Sequence, residues 1–432
     1  MRYLIIGSSA AGIGAVEGIR QIDKVNPITI ISAENYPLYS RCLLSYYLSG
    51  KLTESGLHIR PDDWSKINKA NMFLGKKVVL IETDKGYIQC SDGSKYYYDK
   101  LLIATGATVK IPPNIPSGME GIFTLRTVED AKKVDAAISP DGEAVILGGG
   151  LIGLKAAFAL LARKMKTTVV LKSKSVLSQM IDFNAAQLVQ KKMTDLGIDI
   201  LTQSEVTEVI TEGKNIIKVV VASKEGSDIR NCSLLIAAKG VHPNTELAEG
   251  TGIEKNGGIL TDEHMRTNNE NIYAAGDVAE TYDIALEDRT VNALWTCAVQ
   301  QGKIAGFNMA GTPKSYDGSA AMNSLNFPGL DIISFGNTKA DENQGFEIYH
   351  YTNSHKNIYK KIVLKDNRIK GLILINAIDN AGLLLSLMGR KIDVGSFQLE
   401  LLNDNFNYGR VLSYGGAKEK ARFWHIGHKA GI

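Results

Sequence analysis

Residues 1–34, MRYLIIGSSAAGIGAVEGIRQIDKVNPITIISAE, contain the stretch that decides the fold. Their pattern predicts a strand (YLIIG), a helix (AAGIGAVEGIRQI) and a second strand (PITIIS). The turn between the first strand and the helix begins and ends with glycine, at Gly7 and Gly12. A strand, a glycine turn, a helix and a strand in this order are typical of a unit that binds a dinucleotide.

Two details of this unit concern the nucleotide. Ser9 stands where a full G-x-G-x-x-G fingerprint has its middle glycine, and its small side chain still permits close approach of a pyrophosphate. Glu34 follows Gly12 by about 20 residues, at a strand end where a carboxylate binds ribose hydroxyls. The alternative is an ordinary turn followed by a surface glutamate. With strand, helix and acid all in place, we predict nucleotide binding.

The same pattern returns at 144–171, as a strand (AVILGGG), a helix (LIGLKAAFALLARK) and a strand (TTVVL). Its fingerprint, GGGLIG at 148–153, is complete. The acid is missing, because the strand ends at Leu171 and is followed by Lys172 and Lys174. Cations at this place suit a 2′-phosphate and indicate NADP(H) rather than NAD(H). The alternative is that both lysines are solvated surface residues.

Composition restricts the remaining possibilities. The 432 residues are 44% hydrophobic and 22% charged, as in soluble globular proteins, and a net charge of +3 gives no reason to expect nucleic-acid binding. No apolar run suggests a membrane span, and no secretory signal is recognisable in RYLII at the start of the printed chain. The four cysteines form no Cys-x-x-Cys pair, which argues against a metal site or a disulfide framework and favours a reducing cytoplasm: Cys42, Cys90, Cys232 and Cys297.

Several further motifs occur in a fixed order. They are LLIATGA (101–107), TLRTVEDA (124–131), GVHPNTEL (240–247), TNNENIYAAGD (267–277) and ALWTCAVQQGKIAG (293–306). With the two fingerprints, they resemble the pyridine nucleotide–disulfide oxidoreductase superfamily. The similarity covers nearly the whole chain. It is strongest to the branch of NADH oxidases, coenzyme A-disulfide reductases, rubredoxin and ferredoxin reductases, and the flavin part of nitrite reductase.

The resemblance implies an α/β fold with two Rossmann-like domains, for FAD and NAD(P)H, and a C-terminal α+β domain. The FAD-binding domain is expected at 1–108 and 242–322, the NAD(P)-binding domain at 109–241, and the C-terminal domain at 323–432. Within the last, sequences around KDNR predict a hairpin, and DNAGLLLSLMGRK predicts a short helix capped by Asp379. The last stretch, 401–432, is expected to be partly extended.

The resemblance also implies particular contacts with the cofactors. Arg126 is expected at the flavin, Asp277 at its ribityl chain, and the helix starting at Trp295 beneath its ring system, where hydride passes from nicotinamide C4 to flavin N5. The alternative for Trp295 is a core aromatic. The residues predicted to bind the cofactors are Gly7, Ser9, Ala10, Ala11, Gly12, Glu34, Arg41, Val79, Ala104, Thr105, Gly106, Arg126, Asp277, Trp295, Gly148, Gly150, Leu151, Ile152, Gly153, Lys172 and Gly240.

Departures from the family pattern bear on catalysis. The paired redox cysteines of glutathione-reductase relatives are absent. Cys42 is the candidate catalytic residue, because it aligns with the single redox cysteine of the coenzyme A-disulfide reductases and NADH oxidases. However, Leu38 stands where those enzymes have serine, so a packing role is the alternative. Cys297 is a weaker candidate near the flavin. Lys155 replaces a glutamate that helps to arrange the nicotinamide pocket.

The sequence therefore leaves three hypotheses. The first is an enzyme exchanging electrons between NAD(P)H and a protein carrier (a ferredoxin, a rubredoxin or an iron–sulfur subunit). A basic tail is suited to bind an acidic carrier, and its charged residues are Lys418, Lys420, Arg422 and Lys429. The second is a small-substrate enzyme that works through Cys42. The third is a flavin-binding subunit of a larger redox complex, with the second Rossmann unit kept as scaffold. An oligomer is compatible with each, and His425 and His428 are expected to be surface residues.

Overall fold

We describe the protein from a computed structural model that covers residues 1–36 and 38–414. The chain divides into two compact units. The first contains residues 1–176, 193–283 and 288–319, and the second contains 177–192, 284–287 and the described residues from 320 onward. Because the first unit includes both predicted nucleotide-binding segments, their division into separate FAD and NAD(P) domains stays a prediction.

The first parallel sheet contains the amino-terminal strand of the chain. Its strands are β1 (Tyr3–Ile6), β2 (Ile28–Ile31), β3 (Ala70–Phe73), β7 (Lys100–Ile103) and β19 (Ile272–Ala274). Their spatial order is β19-β7-β1-β2-β3. The residues of the central strand β1 are all buried, as expected in a parallel sheet that is covered on both faces, and those of the edge strand β19 are buried as well.

Helices α1 (Ala10–Ile22) and α7 (Trp295–Met309) pack against each other in the first unit. Their backbones approach closely because glycine lines the contact. A Cβ at Gly14 would lie 2.4 Å from the Val299 carbonyl oxygen, and one at Gly302 would lie 2.0 Å from the Ala11 carbonyl oxygen. The glycine-rich composition of both helices therefore reflects packing.

The second parallel sheet repeats this arrangement. Its strands are β9 (Ile122–Phe123), β10 (Glu143–Leu147), β11 (Lys166–Val170), β12 (Ile198–Leu201) and β16 (Leu234–Ala237), in the order β12-β11-β10-β16-β9. The helices of this part of the sequence are α4 (Val128–Ala137), α5 (Leu151–Ala162) and α6 (Phe183–Asp195). A three-stranded antiparallel sheet follows, with β13 (Glu205–Glu212), β14 (Asn215–Ser223) and β15 (Gly226–Asn231).

Short elements complete the first unit. Strands β8 (Ala107–Val109) and β17 (Val241–Pro243) form an antiparallel ladder between the two predicted crossovers. The remaining elements are α2 (Leu44–Leu48), α3 (Trp64–Ile67), β4 (Val78–Glu82), β5 (Tyr87–Cys90), β6 (Lys95–Tyr97), β18 (Ile259–Leu260), β20 (Ala279–Asp283) and β21 (Asp288–Thr290).

The second unit contains a five-stranded antiparallel sheet, in the order β22-β23-β26-β25-β24, helices α8 and α9, and residues 183–192 of α6. Its elements are β22 (Met322–Phe327), β23 (Leu330–Gly336), β24 (Glu347–Asn353), β25 (Ile358–Lys365), β26 (Arg368–Ile375), α8 (Ala381–Gly389) and α9 (Tyr408–Tyr414). The predicted hairpin and helix are present.

One local prediction in this unit was wrong. The N-cap of α8 is Asn380 and not Asp379. Both residue types suit that position, so the sequence could not choose between neighbours. Of the stretch 401–432, which we expected to be partly extended, the structure describes 401–414, and these residues include the end of a 3₁₀ helix and the whole of α9. That expectation stays a prediction.

The predicted α/β fold, with two Rossmann-like parallel sheets and a C-terminal α+β region, is confirmed. Within residues 1–36 and 38–414, no helix combines the length and the apolar character needed to cross a membrane. Residues 415–432, with the basic tail and both C-terminal histidines, lie outside the described part of the chain.

Candidate functional site

A cavity of about 800 Å³ lies in the first unit, where strands β1, β2, β7 and β19 end. The carboxyl ends of parallel strands are where α/β proteins bind nucleotides. Sixteen of the predicted site residues line it: Gly7, Ser9, Ala10, Ala11, Glu34, Arg41, Cys42, Val79, Ala104, Thr105, Gly106, Arg126, Leu151, Ile152, Asp277 and Trp295. The other six are outside its wall: Gly12, Gly148, Gly150, Gly153, Lys172 and Gly240.

Three helices present uncapped N-termini in this region. The N-cap residues of α1, α5 and α7 are Ser9, Gly150 and Leu294, and none makes a side-chain capping bond. None of these helices has an acid in its first turn, and the first residues of each line the cavity. Helix α4 differs, because Thr127 and Asp130 form a capping box. Free amides and positive dipole ends attract anions, so the cavity suits phosphates or a developing negative charge.

The glycine turn before α1 brings the backbone close to this cavity. Gly7 has φ +115°, and a Cβ there would lie 2.2 Å from the Ala104 carbonyl oxygen. A Cβ at Gly12 would lie 2.0 Å from the Gly7 carbonyl oxygen. Gly12 does not line the cavity itself, but its lack of a side chain lets α1 begin directly against the turn.

Glu34 faces two donors across the cavity. Its Oε1 pairs with Arg41, and its Oε2 accepts a hydrogen bond from the Tyr39 hydroxyl. Burial raises the pKa of Tyr39, so the phenol stays a neutral donor near pH 7. Because each carboxylate oxygen can accept more than one bond, Glu34 retains capacity for ribose hydroxyls.

Arg126 and Asp277 form a second polar pair in the wall. Arg126 Nη2 lies 2.8 Å from Asp277 Oδ2, and both side chains are about 20% exposed. Gln301 supports this pair, because its Oε1 accepts a bond of 2.8 Å from the buried amide of Gly276. Arg41 links the two acidic positions by donating to the Arg126 carbonyl oxygen over 2.7 Å.

Asn244 fixes the turn that follows β7. Its Nδ2 donates to the Thr105 carbonyl oxygen, and the Thr105 hydroxyl donates to the Asn244 carbonyl oxygen, both over 2.9 Å. Its Oδ1 accepts from the Thr108 hydroxyl over 2.7 Å. The two crossovers between the parallel sheets are thus joined beside Gly106, one of the residues lining the cavity.

The second glycine turn repeats the geometry of the first without its acid. A Cβ at Gly153 would lie 2.0 Å from the Gly148 carbonyl oxygen. The backbone hydrogen bonds of the two sheets make Leu171 the counterpart of Ser32 and Ser173 the counterpart of Glu34, so a serine hydroxyl stands in the place of the acid. Leu171 is buried and packs near Gly149. Lys172 is bound to Glu205, with a distance of 2.7 Å between Nζ and Oε1.

The four cysteines differ in position. Cys42 is exposed and lines the cavity, whereas Cys90, Cys232 and Cys297 are buried and are not part of its wall. Burial raises the pKa of the Cys297 thiol, so this cysteine has the character of a packing residue. Lys155 belongs to α5, and its Nζ lies 6.0 Å from the ring centre of Tyr46. Tyr46 is a residue of α2, the helix that follows Cys42.

Sequence reasoning missed several residues of this region: Tyr39, Glu205, Lys239, Asn244 and Gln301. Asn244 stood in a quoted motif, and its position after a proline at a crossover was the available signal. Glu205 and Lys239 carry no local signal, because only the folded sheet brings them to Lys172.

Comparison with known proteins identifies the family. Residues 1–302 match the family described as pyridine nucleotide-disulphide oxidoreductase, and residues 322–392 match the rubredoxin NAD+ reductase C-terminal domain. This chain belongs to the pyridine nucleotide-disulphide oxidoreductase family. It is an FAD-dependent oxidoreductase that uses NAD(P)H, as the sequence predicted.

Individual relatives extend this finding. The chain is 31% identical to the epsilon subunit of the NADH-dependent phenylglyoxylate dehydrogenase of Aromatoleum evansii, over 95% of this chain and 97% of the relative. It is 28% identical to the assimilatory nitrate reductase electron transfer subunit of Bacillus subtilis, over 93% of this chain but only 51% of that relative. The solved NAD-dependent persulfide reductase of A. fulgidus is similar with a TM-score of 0.83 and 25% identity, over 91% of this chain and 78% of that one.

Proposed function

We propose that this chain passes electrons from NAD(P)H, through FAD, to a protein electron carrier. The carrier is of the iron–sulfur kind, either a small protein such as a ferredoxin or rubredoxin or the partner subunit of a larger enzyme. The observation that carries this proposal is a flavin-type cavity without a cysteine pair in its wall.

The cavity residues fit FAD. The uncapped start of α1 and the glycine turn suit the pyrophosphate, Glu34 suits the adenosine ribose, and Asp277 suits the ribityl hydroxyls. Bound FAD accepts hydride from a reduced nicotinamide and releases electrons singly. The protein's part would be to hold the ring system in the cavity, whose wall includes the uncapped start of α7, a place that favours negative charge.

The cysteine pattern indicates that the final electron acceptor is not part of this chain. Enzymes that reduce disulfides internally need two thiols within bonding distance, whereas here only Cys42 reaches the cavity. Electrons therefore leave the flavin directly for an external acceptor. The names of two relatives support a protein acceptor, since one is an electron transfer subunit and the other is a subunit of a larger dehydrogenase.

A second candidate function is reduction of a small disulfide, persulfide or peroxide through Cys42. The exposure of this thiol in the cavity wall favours it, and so does the similarity to a persulfide reductase. In that case the Cys42 thiolate would attack one sulfur of a disulfide or persulfide, or one oxygen of a peroxide, and the S–S or O–O bond would break with release of a thiol, sulfide or water. The oxidised Cys42 would return to the thiol with two electrons that NAD(P)H supplies through FAD.

Anaerobic stopped-flow spectroscopy separates these functions. We expect NADH or NADPH to bleach the flavin of the purified protein, and the reduced protein to reduce a ferredoxin or rubredoxin rapidly. Turnover with coenzyme A disulfide or peroxide, but with neither carrier, would contradict the proposal and support the Cys42 route. Flavin that neither nucleotide bleaches would indicate a subunit that receives its electrons elsewhere, and co-purification would then identify its partner.

A further inference from the structure

Three charged side chains meet at the carboxyl edge of the second parallel sheet. Glu205 Oε1 lies 2.7 Å from Lys172 Nζ and 3.9 Å from Lys239 Nζ. Lys172 is largely exposed, whereas burial lowers the pKa of Lys239. A single carboxylate thus holds two lysines whose sequence positions are far apart.

The position of this cluster is set by the sheet order. Lys172 follows β11 and Lys239 follows β16, and β10 lies between these two strands. The glycine turn at 148–150 comes directly after β10. Because the two lysines reach one oxygen from either side of β10, the cluster lies at the edge where this kind of sheet binds its nucleotide.

Leu171 cannot recognise the adenosine ribose. It is 2% exposed, and a Cβ at Gly149 would lie 2.8 Å from its Cδ1, so its side chain is packed against the glycine turn. Ser173, the counterpart of Glu34, is uncharged, and its hydroxyl donates to the Ser175 carbonyl oxygen over 2.8 Å. Ribose hydroxyls are bound best by a carboxylate, and Glu205 offers one at this edge of the sheet. Its side chain is 35% exposed, and its Oε2 has no hydrogen-bond partner among the described residues.

We propose that Glu205 determines the nucleotide specificity of this enzyme, by accepting a hydrogen bond from the adenosine ribose and disfavouring a 2′-phosphate, so that NAD(H) is preferred over NADP(H). This inference rests on the proposed use of a nicotinamide nucleotide. It adds the residue that selects the nucleotide and the nucleotide that is preferred. It opposes the preference expected from Lys172 and Lys174 alone.

Charge explains why NAD(H) is preferred over NADP(H). A 2′-phosphate beside Glu205 meets a like charge, and it gains Lys172 only after the existing ion pair opens. A ribose without a 2′-phosphate leaves both ion pairs of Glu205 in place, and its hydroxyl donates a hydrogen bond to Glu205 Oε2. The lysines therefore hold the carboxylate in position and are not available as a phosphate site.

The test compares binding of NAD⁺ and NADP⁺ to the FAD-loaded protein by isothermal titration calorimetry, which needs no turnover. We expect the wild type to bind NAD⁺ more tightly. Glu205→Gln keeps a hydrogen-bonding side chain but removes the charge, and should lower the preference for NAD⁺ about tenfold or more. Glu208→Gln, on an exposed position of the same strand, is the matched control and should not change it.

Two results would overturn the proposal. One is a wild type that binds NADP⁺ as tightly as NAD⁺ or more tightly. The other is a Glu205→Gln preference equal to that of Glu208→Gln, with flavin content showing that both variants are folded. Flavin reduction by each nucleotide is measured separately, so an enzyme with the expected binding preference but no bleaching would refute the proposed function and leave this inference standing.

Discussion

The two glycine turns of the first unit have nearly the same backbone and different surroundings. Gly7 and Gly148 have φ values of +115° and +121°, and the last glycine of each turn, Gly12 or Gly153, would place a Cβ 2.0 Å from the carbonyl oxygen of the first. Ser9 replaces the middle glycine in the first turn without changing this geometry. The first and last glycines therefore set the turn.

The acids that accompany the turns come from different places. Glu34 lies shortly after the end of β2 and is held by Tyr39 and Arg41, a few residues further along the chain. Beside the second turn the equivalent place is filled by Ser173, and the carboxylate of Glu205 belongs to a separate antiparallel sheet. One backbone design can thus receive its polar recognition groups from local or from distant sequence.

Alanine at the last glycine of each turn is expected to have the largest effect. Gly12→Ala and Gly153→Ala each push a methyl group into a carbonyl oxygen, and such overpacking costs roughly 1–3 kcal/mol or more. Gly12→Ala should abolish stoichiometric flavin incorporation, whereas Gly153→Ala should retain flavin but lose its reduction by nucleotide. Flavin absorbance and stopped-flow bleaching measure the two effects. Equal flavin loss in both variants would show that the turns do not serve separate cofactors.

Asp277→Ala should weaken FAD binding without altering nucleotide binding. It removes an acceptor for the ribityl chain and leaves Arg126 without its partner, a loss of roughly 1–3 kcal/mol. The FAD dissociation constant should rise about 5- to 150-fold. Asp99→Ala breaks a surface pair with Arg2 and is the control. Full flavin retention at high dilution would remove Asp277 from the site.

Lys172→Glu should shift the nucleotide preference further toward NADH. The expected change is about severalfold, because the exposed ion pair with Glu205 contributes only about 0–1 kcal/mol. The control is Lys166→Glu, at the opposite end of the same strand. Ratios of kcat/KM for NADH and NADPH measure the shift, and an unchanged ratio would place Lys172 outside the nucleotide site.

Cys42→Ser is expected to have the smallest effect. If electrons leave the flavin directly, carrier reduction should stay within about twofold, since an exposed substitution of similar size usually changes stability by less than about 0.5 kcal/mol. Steady-state reduction of a ferredoxin or rubredoxin is the measurement. Loss of turnover, together with a long-wavelength band between thiolate and oxidised flavin in the wild type, would establish the thiol as the relay.

Local patterns explain what could be predicted from the sequence. Helices α1 and α5, their glycine turns and the hairpin of β25 and β26 all follow from residue spacing within short segments. The cluster of Lys172, Glu205 and Lys239 could not be predicted, because its contacts depend on which strands become neighbours. The same holds for Asn244, whose partners precede it by more than a hundred residues.

The ladder of β8 and β17 has a consequence for how such a chain can be rearranged. Val109 and Val241 are paired in it, so the chain leaves and re-enters the part of the fold built on the first parallel sheet at one point. For that part, everything from 110 to 240 is a single closed loop, and the entropy of closing a loop grows only with the logarithm of its length. We therefore expect that a segment of other nucleotide preference can replace 110–240 without rebuilding the sheet that carries Gly7 and Glu34, if it retains Arg126, Leu151 and Ile152, which line the cavity.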